Sequence, residues 1–110
     1  MRSNILDAEK IPAEWVLVAQ LDESADYEVD MSEIFYDKKK KEYLLITATG
    51  CSCWSGEYES ETYKKLKDIE KKLFVRDDKG YVYNPSVQGA HDLIEQANKN
   101  LKKIWEMITV

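Results

Sequence analysis

The chain has 110 residues, 44% of them apolar, with three Trp and seven Tyr, enough for one hydrophobic core and too apolar for a disordered segment. Its formal net charge is −5, and nucleic acid is held mainly by Lys and Arg on phosphates. The chain is therefore a poor candidate for binding nucleic acid. No run approaches the roughly 18 apolar residues that span a bilayer, and the start, MRSNILDAEK, lacks a signal-peptide core. The expectation is one cytoplasmic domain over residues 1–110, with no membrane association.

The charge is uneven: residues 1–37 carry ten acids and two bases, the rest eleven acids and fourteen bases. After Pro12 the run Glu14-Trp15-Val16-Leu17-Val18-Ala19-Gln20-Leu21 is β-branched, aromatic and nearly continuously apolar, which predicts a strand covered on both faces and central in a sheet. Strands are predicted at 29–36 and 42–49, flanking Asp37-Lys38-Lys39-Lys40-Lys41, which reads as a solvated hairpin tip. Between the first two lies an acidic connection. Its Asp22, Ser24, Asp26, Glu28, Asp30 and Glu33 fall at the first, third, fifth, seventh, ninth and twelfth places of a calcium loop, but Tyr27 stands where that loop needs Gly. Strands also flank it where the motif needs helices.

Gly50-Cys51-Ser52-Cys53-Trp54-Ser55-Gly56-Glu57-Tyr58 has the small residues of a loop. Cys51 and Cys53 are too close for a relaxed disulfide and too few for a secreted framework, so two free thiols in a reducing compartment are expected. Ser60 reads as an N-cap, with Tyr63, Leu66, Ile69 and Leu73 on one face of a helix that ends near Lys71 and Lys72. Phe74-Val75 and Tyr81-Val82-Tyr83 would pair across the turn Asp77-Asp78-Lys79-Gly80. Asn84-Pro85 signals the start of a long helix running to about Met107. Its stripe of Val87, Ala90, Ile94, Ala97, Leu101, Ile104 and Ile108, widened by Leu93 and Trp105, fits packing on the sheet better than a dimer seam. The same stripe leaves monomer and homodimer both open. The predicted fold is α+β: an antiparallel sheet of about three main strands packed by a medium helix and a long C-terminal helix.

Several chemistries compete for this scaffold. Zinc could use Cys51 and Cys53, but His91 is the only third soft ligand, so a closed site would need a carboxylate or a second subunit. A cysteine nucleophile would draw on Cys51 or Cys53 with His91 and Asp92, yet adjacent helical residues point different ways. Neither a Gly-rich phosphate loop nor a serine nucleophile motif is present, and no cofactor is expected.

Large aromatics on a small-residue loop are the composition of binding surfaces. Trp54, Tyr58, Cys51, Cys53 and Glu57 are thus candidate contact residues, with Trp54 folded back onto the core as the competing reading. The tract 50–58, between a strand and a helix, resembles one found in small uncharacterised phage and prophage proteins. It covers under a tenth of the chain and implies an accessory protein that binds or inhibits a host protein, with no catalytic residue. The leading expectation is a non-enzymatic module with a protein partner. Its aromatics would anchor in a pocket while the acidic stretch steers approach to a basic surface, or the acidic stretch would mimic nucleic acid. A metal-binding protein and a cysteine enzyme are the alternatives.

Overall fold

The computed structural model describes residues 1–51, 53–74 and 85–108. Four antiparallel strands, β1 (Trp15–Asp22), β2 (Glu28–Asp37), β3 (Glu42–Cys51) and β4 (Glu59–Tyr63), lie in the order β1-β2-β3-β4. Two helices follow, α1 (Leu66–Phe74) and α2 (Val87–Ile108). The α+β expectation therefore holds, with a fourth strand added. None of the described helices is long and apolar enough to cross a membrane.

The fourth strand corrects the reading of Ser60 as a helix cap. Residues 59–63 pair with β3 from Thr47↔Glu59 to Tyr43↔Tyr63, which satisfies backbone groups that β3 would otherwise present as an open edge. Tyr63 ends the strand packed against the core, and Ile69 and Leu73 carry the helix face that α1 buries.

Strand β1 departs from expectation too, being an edge strand and not the centre of the sheet. Its continuous apolarity has two causes. Both faces are covered, and a bulge between Leu17 and Ala19 breaks the alternation, so that Val18 and Ala19 both enter the core under the helices. α2 serves three of the backbone groups on this edge. Gln96 accepts from Gln20 N (3.1 Å) and donates to Gln20 O (3.0 Å), and Asn100 Nδ2 donates to Val18 O (2.8 Å). The side-chain amides thus replace a neighbouring strand.

α2 starts one turn signal later than Asn84-Pro85 suggests. Ser86 Oγ accepts from Gly89 N (3.0 Å), the bond of an N-cap, and Ser86 in turn donates from N and Oγ to the Glu23 carboxylate (2.8 and 2.5 Å). This ties the helix start to the end of β1. Gly89 lies where a Cβ would stand 2.6 Å from Leu21 Cδ2 and 2.9 Å from both Glu23 oxygens, so a side chain there would have to push these side-chain ends aside. Asn84 and the expected hairpin across 77–80 lie outside the described residues. Along α2, Ala90, Leu93, Ala97 and Leu101 are buried and Ile94 and Ile104 pack beside them, whereas Val87 is 46% exposed. Trp105 is 44% exposed, with its ring edge-on to Tyr36 at 5.6 Å.

The opposite sheet face carries a second apolar cluster of Met31, Phe35, Leu44, Ile46 and Ala48. Residues 1–11 form its cover, through Ile5 and Leu6, with a 3₁₀ turn at Ala8–Lys10. Glu33 holds this strap. Its side chain is 1% exposed and accepts from Ser3 Oγ (2.5 Å), Asn4 N (2.7 Å) and Gln20 Nε2 (3.4 Å), so the buried carboxylate is fully engaged.

Candidate functional site

The antiparallel register between β2 and β3 sets Glu28 opposite Cys51. The β1–β2 hairpin and the loop 53–58 consequently share one end of the sheet. In the hairpin, Ala25 and Glu28 exchange backbone hydrogen bonds around Asp26 and Tyr27. Asp26 adopts φ 50°, a left-handed conformation that Asp tolerates at a tight turn. Tyr27 is left at the tip with 78% of its surface exposed. The place that spoils the calcium motif is thus the most exposed large aromatic among the described residues.

The six residues of that motif do not converge. Asp22 Oδ1 accepts from Ser24 N (2.9 Å), Ser24 Oγ accepts from Asp30 N (2.9 Å), and Glu33 lies on the strap face, opposite to Glu28 and Asp30. Among the described residues no group of three His, Cys, Asp or Glu stands close enough to hold a metal ion. Asp30 has a raised pKa, first because burial disfavours its charge and then because Glu23, Asp22 and Glu28 repel it. Carboxylates therefore crowd this end of the sheet.

Across the gap, β3 runs out at Cys51 and the chain turns, with Trp54 N donating to Cys51 O (3.0 Å). The turn corrects the expectation of free thiols. It brings the two Cα atoms to 5.2 Å, within disulfide range, and Cys51 and Cys53 are bonded. Neither is a thiolate available to zinc or to nucleophilic chemistry in this state, and the cysteine count no longer argues for a reducing compartment. His91 and Asp92 do not form a dyad either: the His91 ring lies 4.7 Å from Phe74, and Asp92 accepts from Gln88 Nε2 (3.1 Å).

Trp54 folds back. Its ring packs against the strap-face cluster, and Nε1 donates to Glu57 O (2.7 Å). Gly56, at φ 100°, supplies the left-handed residue that lets the chain double back. Glu57 then accepts from Ser55 N (3.1 Å) and Ser55 Oγ (2.5 Å), which holds its carboxyl below the usual range, the Ser55 hydroxyl being the main cause. Of the two aromatics of the tract, only Tyr58 is presented, at 49% exposure.

Sequence reasoning found the loop and the acidic stretch but not their meeting. Tyr27 was missed because it counted only as a motif defect; an isolated aromatic between Asp26 and Glu28 was the signal available. No family model matches the chain, and no curated protein or solved structure matches it.

Proposed function

We propose that this protein is a non-enzymatic binding module that docks a basic protein surface with the end of the sheet bearing Tyr27 and Tyr58. The supporting observation is the Glu28↔Cys51 register, which puts the two exposed aromatics on adjoining loops among Asp22, Asp26, Glu28, Asp30, Glu57 and Glu59. Aromatics embedded in a rim of one charge supply the anchor and the steering of a protein interface. Trp54 contributes by bracing the loop and not by contact. Such a module suits an accessory protein that inhibits a host protein by covering its basic site, the role implied by the phage-type tract.

The test is affinity capture from native lysate at stepped salt, with a Tyr27→Ala, Tyr58→Ala variant of unchanged melting temperature as control. A partner held by wild type, released by salt and lost by the variant supports the reading. Equal capture by both proteins, or capture indifferent to salt, sinks it.

A further inference from the structure

The Cys51–Cys53 bond closes a loop across a single intervening residue, and the chain-entropy gain from a cross-link grows with the number of residues it encloses. A bond this local adds less to the stability of the fold than one that closes a long loop. Neither sulfur belongs to either core cluster, and both cysteines are exposed. Cys51 is the last residue of β3, where the Asp30↔Thr49 and Val29↔Gly50 pairs behind it keep the strand in place. The sulfurs are thus reachable, mounted on a rigid element, and free to separate without exposing apolar surface. The disulfides that stabilise small domains most close long loops, unlike this one.

The chemical surroundings are specific as well. Glu28 is the register partner of Cys51, and Glu57 belongs to the same loop as Cys53. Carboxylates beside a disulfide repel an approaching anionic thiolate and favour a thiol carried on a cation.

We infer that Cys51 and Cys53 form a thiol–disulfide exchange site whose substrate is a thiol pair on a cationic partner. In the forward direction a partner thiolate attacks one sulfur of the pair. The Cys51–Cys53 bond breaks, and the other sulfur leaves as a thiolate that takes a proton. The partner's second thiol, as its thiolate, attacks the mixed disulfide and releases the remaining cysteine. Two electrons and two protons pass from the partner's dithiol to the pair, and the partner gains the disulfide. This activity does not depend on the aromatic docking proposed above, since small thiols test it directly.

The full chain, oxidised, is mixed with reduced cysteamine or with reduced glutathione, quenched by alkylation, and its free thiols are counted by mass. Both reagents should open the bond in the folded protein. Cysteamine should act roughly threefold faster relative to glutathione at low ionic strength than at high, the scale expected for exposed charges of opposite sign. Glu28→Gln with Glu57→Gln should shrink that salt-dependent ratio. Cys51→Ser mixed with glutathione disulfide should hold a stable mixed disulfide at Cys53, and Cys51→Ser with Cys53→Ser should melt no more than about 10 °C below wild type. The proposal is overturned if excess glutathione disulfide leaves both thiols of the reduced protein free. Opening only under denaturant, or a large drop in melting temperature for the double Ser variant, would overturn it equally.

Discussion

The two faces of the sheet are closed by different means. The helix face buries Val18, Ile34, Leu45, Ile69, Leu93 and Ala97 to complete or nearly complete exclusion of water, by laying two amphipathic helices over it. The other face is closed by residues 1–11, with two buried apolar side chains, Ile5 and Leu6, and a polar clasp on Glu33. A cleft of about 550 Å³ remains under that strap, lined by Leu6, Ile11, Trp15, Leu17 and Phe35 among others. Two helices cover the first face, whereas a short segment covers the second by combining Ile5 and Leu6 with hydrogen bonds to Glu33. The first should therefore govern global unfolding and the second a local opening.

The sharpest way to break this comparison is Leu93→Ala. At full burial in the helix-face core, the truncation should cost about 2–5 kcal/mol in chemical denaturation; a loss well under that range would mean that the helices are not the main closure. Next in size, Glu33→Ala removes the acceptor of Ser3 and Asn4 and should cost roughly 1–3 kcal/mol. Its signature is selective. Hydrogen exchange should rise at Asn4 and nearby strap amides while the β2–β3 amides stay protected, and a uniform rise would merge the two faces into one unit. Gly89→Ala tests the contact of α2 with the end of β1 on the helix face. Alanine should gain up to about 1 kcal/mol from helix propensity, yet its Cβ meets Leu21 and Glu23, so a net loss of about 1–2 kcal/mol is expected. A stabilised variant would show that the Glu23–Ser86 tie yields easily.

The smallest effect concerns pH. Asp37 is held below the usual carboxylate range, chiefly by the Lys40 backbone N–H and then by Lys39 N and the Trp15 side chain. The unfolded chain thus binds this proton more readily than the folded one. Asp37 supports the fold above its unfolded value of about 3.8, and that support is lost as pH falls through the lower folded value. Asp30 acts in the opposite sense. Its raised pKa means that the folded state holds the proton longer, so this site weakens the fold as pH rises through the window above 3.8. Asp37→Asn should flatten the acid limb of a stability profile, and Asp30→Asn should raise its neutral end.

How far the sequence foretold these faces depends on which device closes each. β2, β3 and α2 were legible because alternation and three-four spacing are local signals. β4 was not, because Tyr63 fits both a strand end and a helix stripe, and only the unpaired edge of β3 decides between them. The strap was invisible for another reason: its holding group, Glu33, lies in the middle of a strand, and nothing local distinguishes a clasp from a solvated acid. At the candidate site the acidic stretch and the Trp54–Tyr58 loop were each visible, but their meeting is a matter of register. The orientation of Trp54 was open in the sequence because it rests on the Nε1 bond to Glu57 O and on the turn at Gly56.

The amides of Gln96 and Asn100 on β1 bear finally on behaviour at high concentration. A sheet grows into a fibre by adding strands sideways, and on the β1 side a newcomer would have to displace α2 and its hold on the backbone. Growth is left to β4, five residues long. Two copies of that strand, paired antiparallel about their middle residue, would set Glu61 against Glu61, a like-charge contact that opposes stacking.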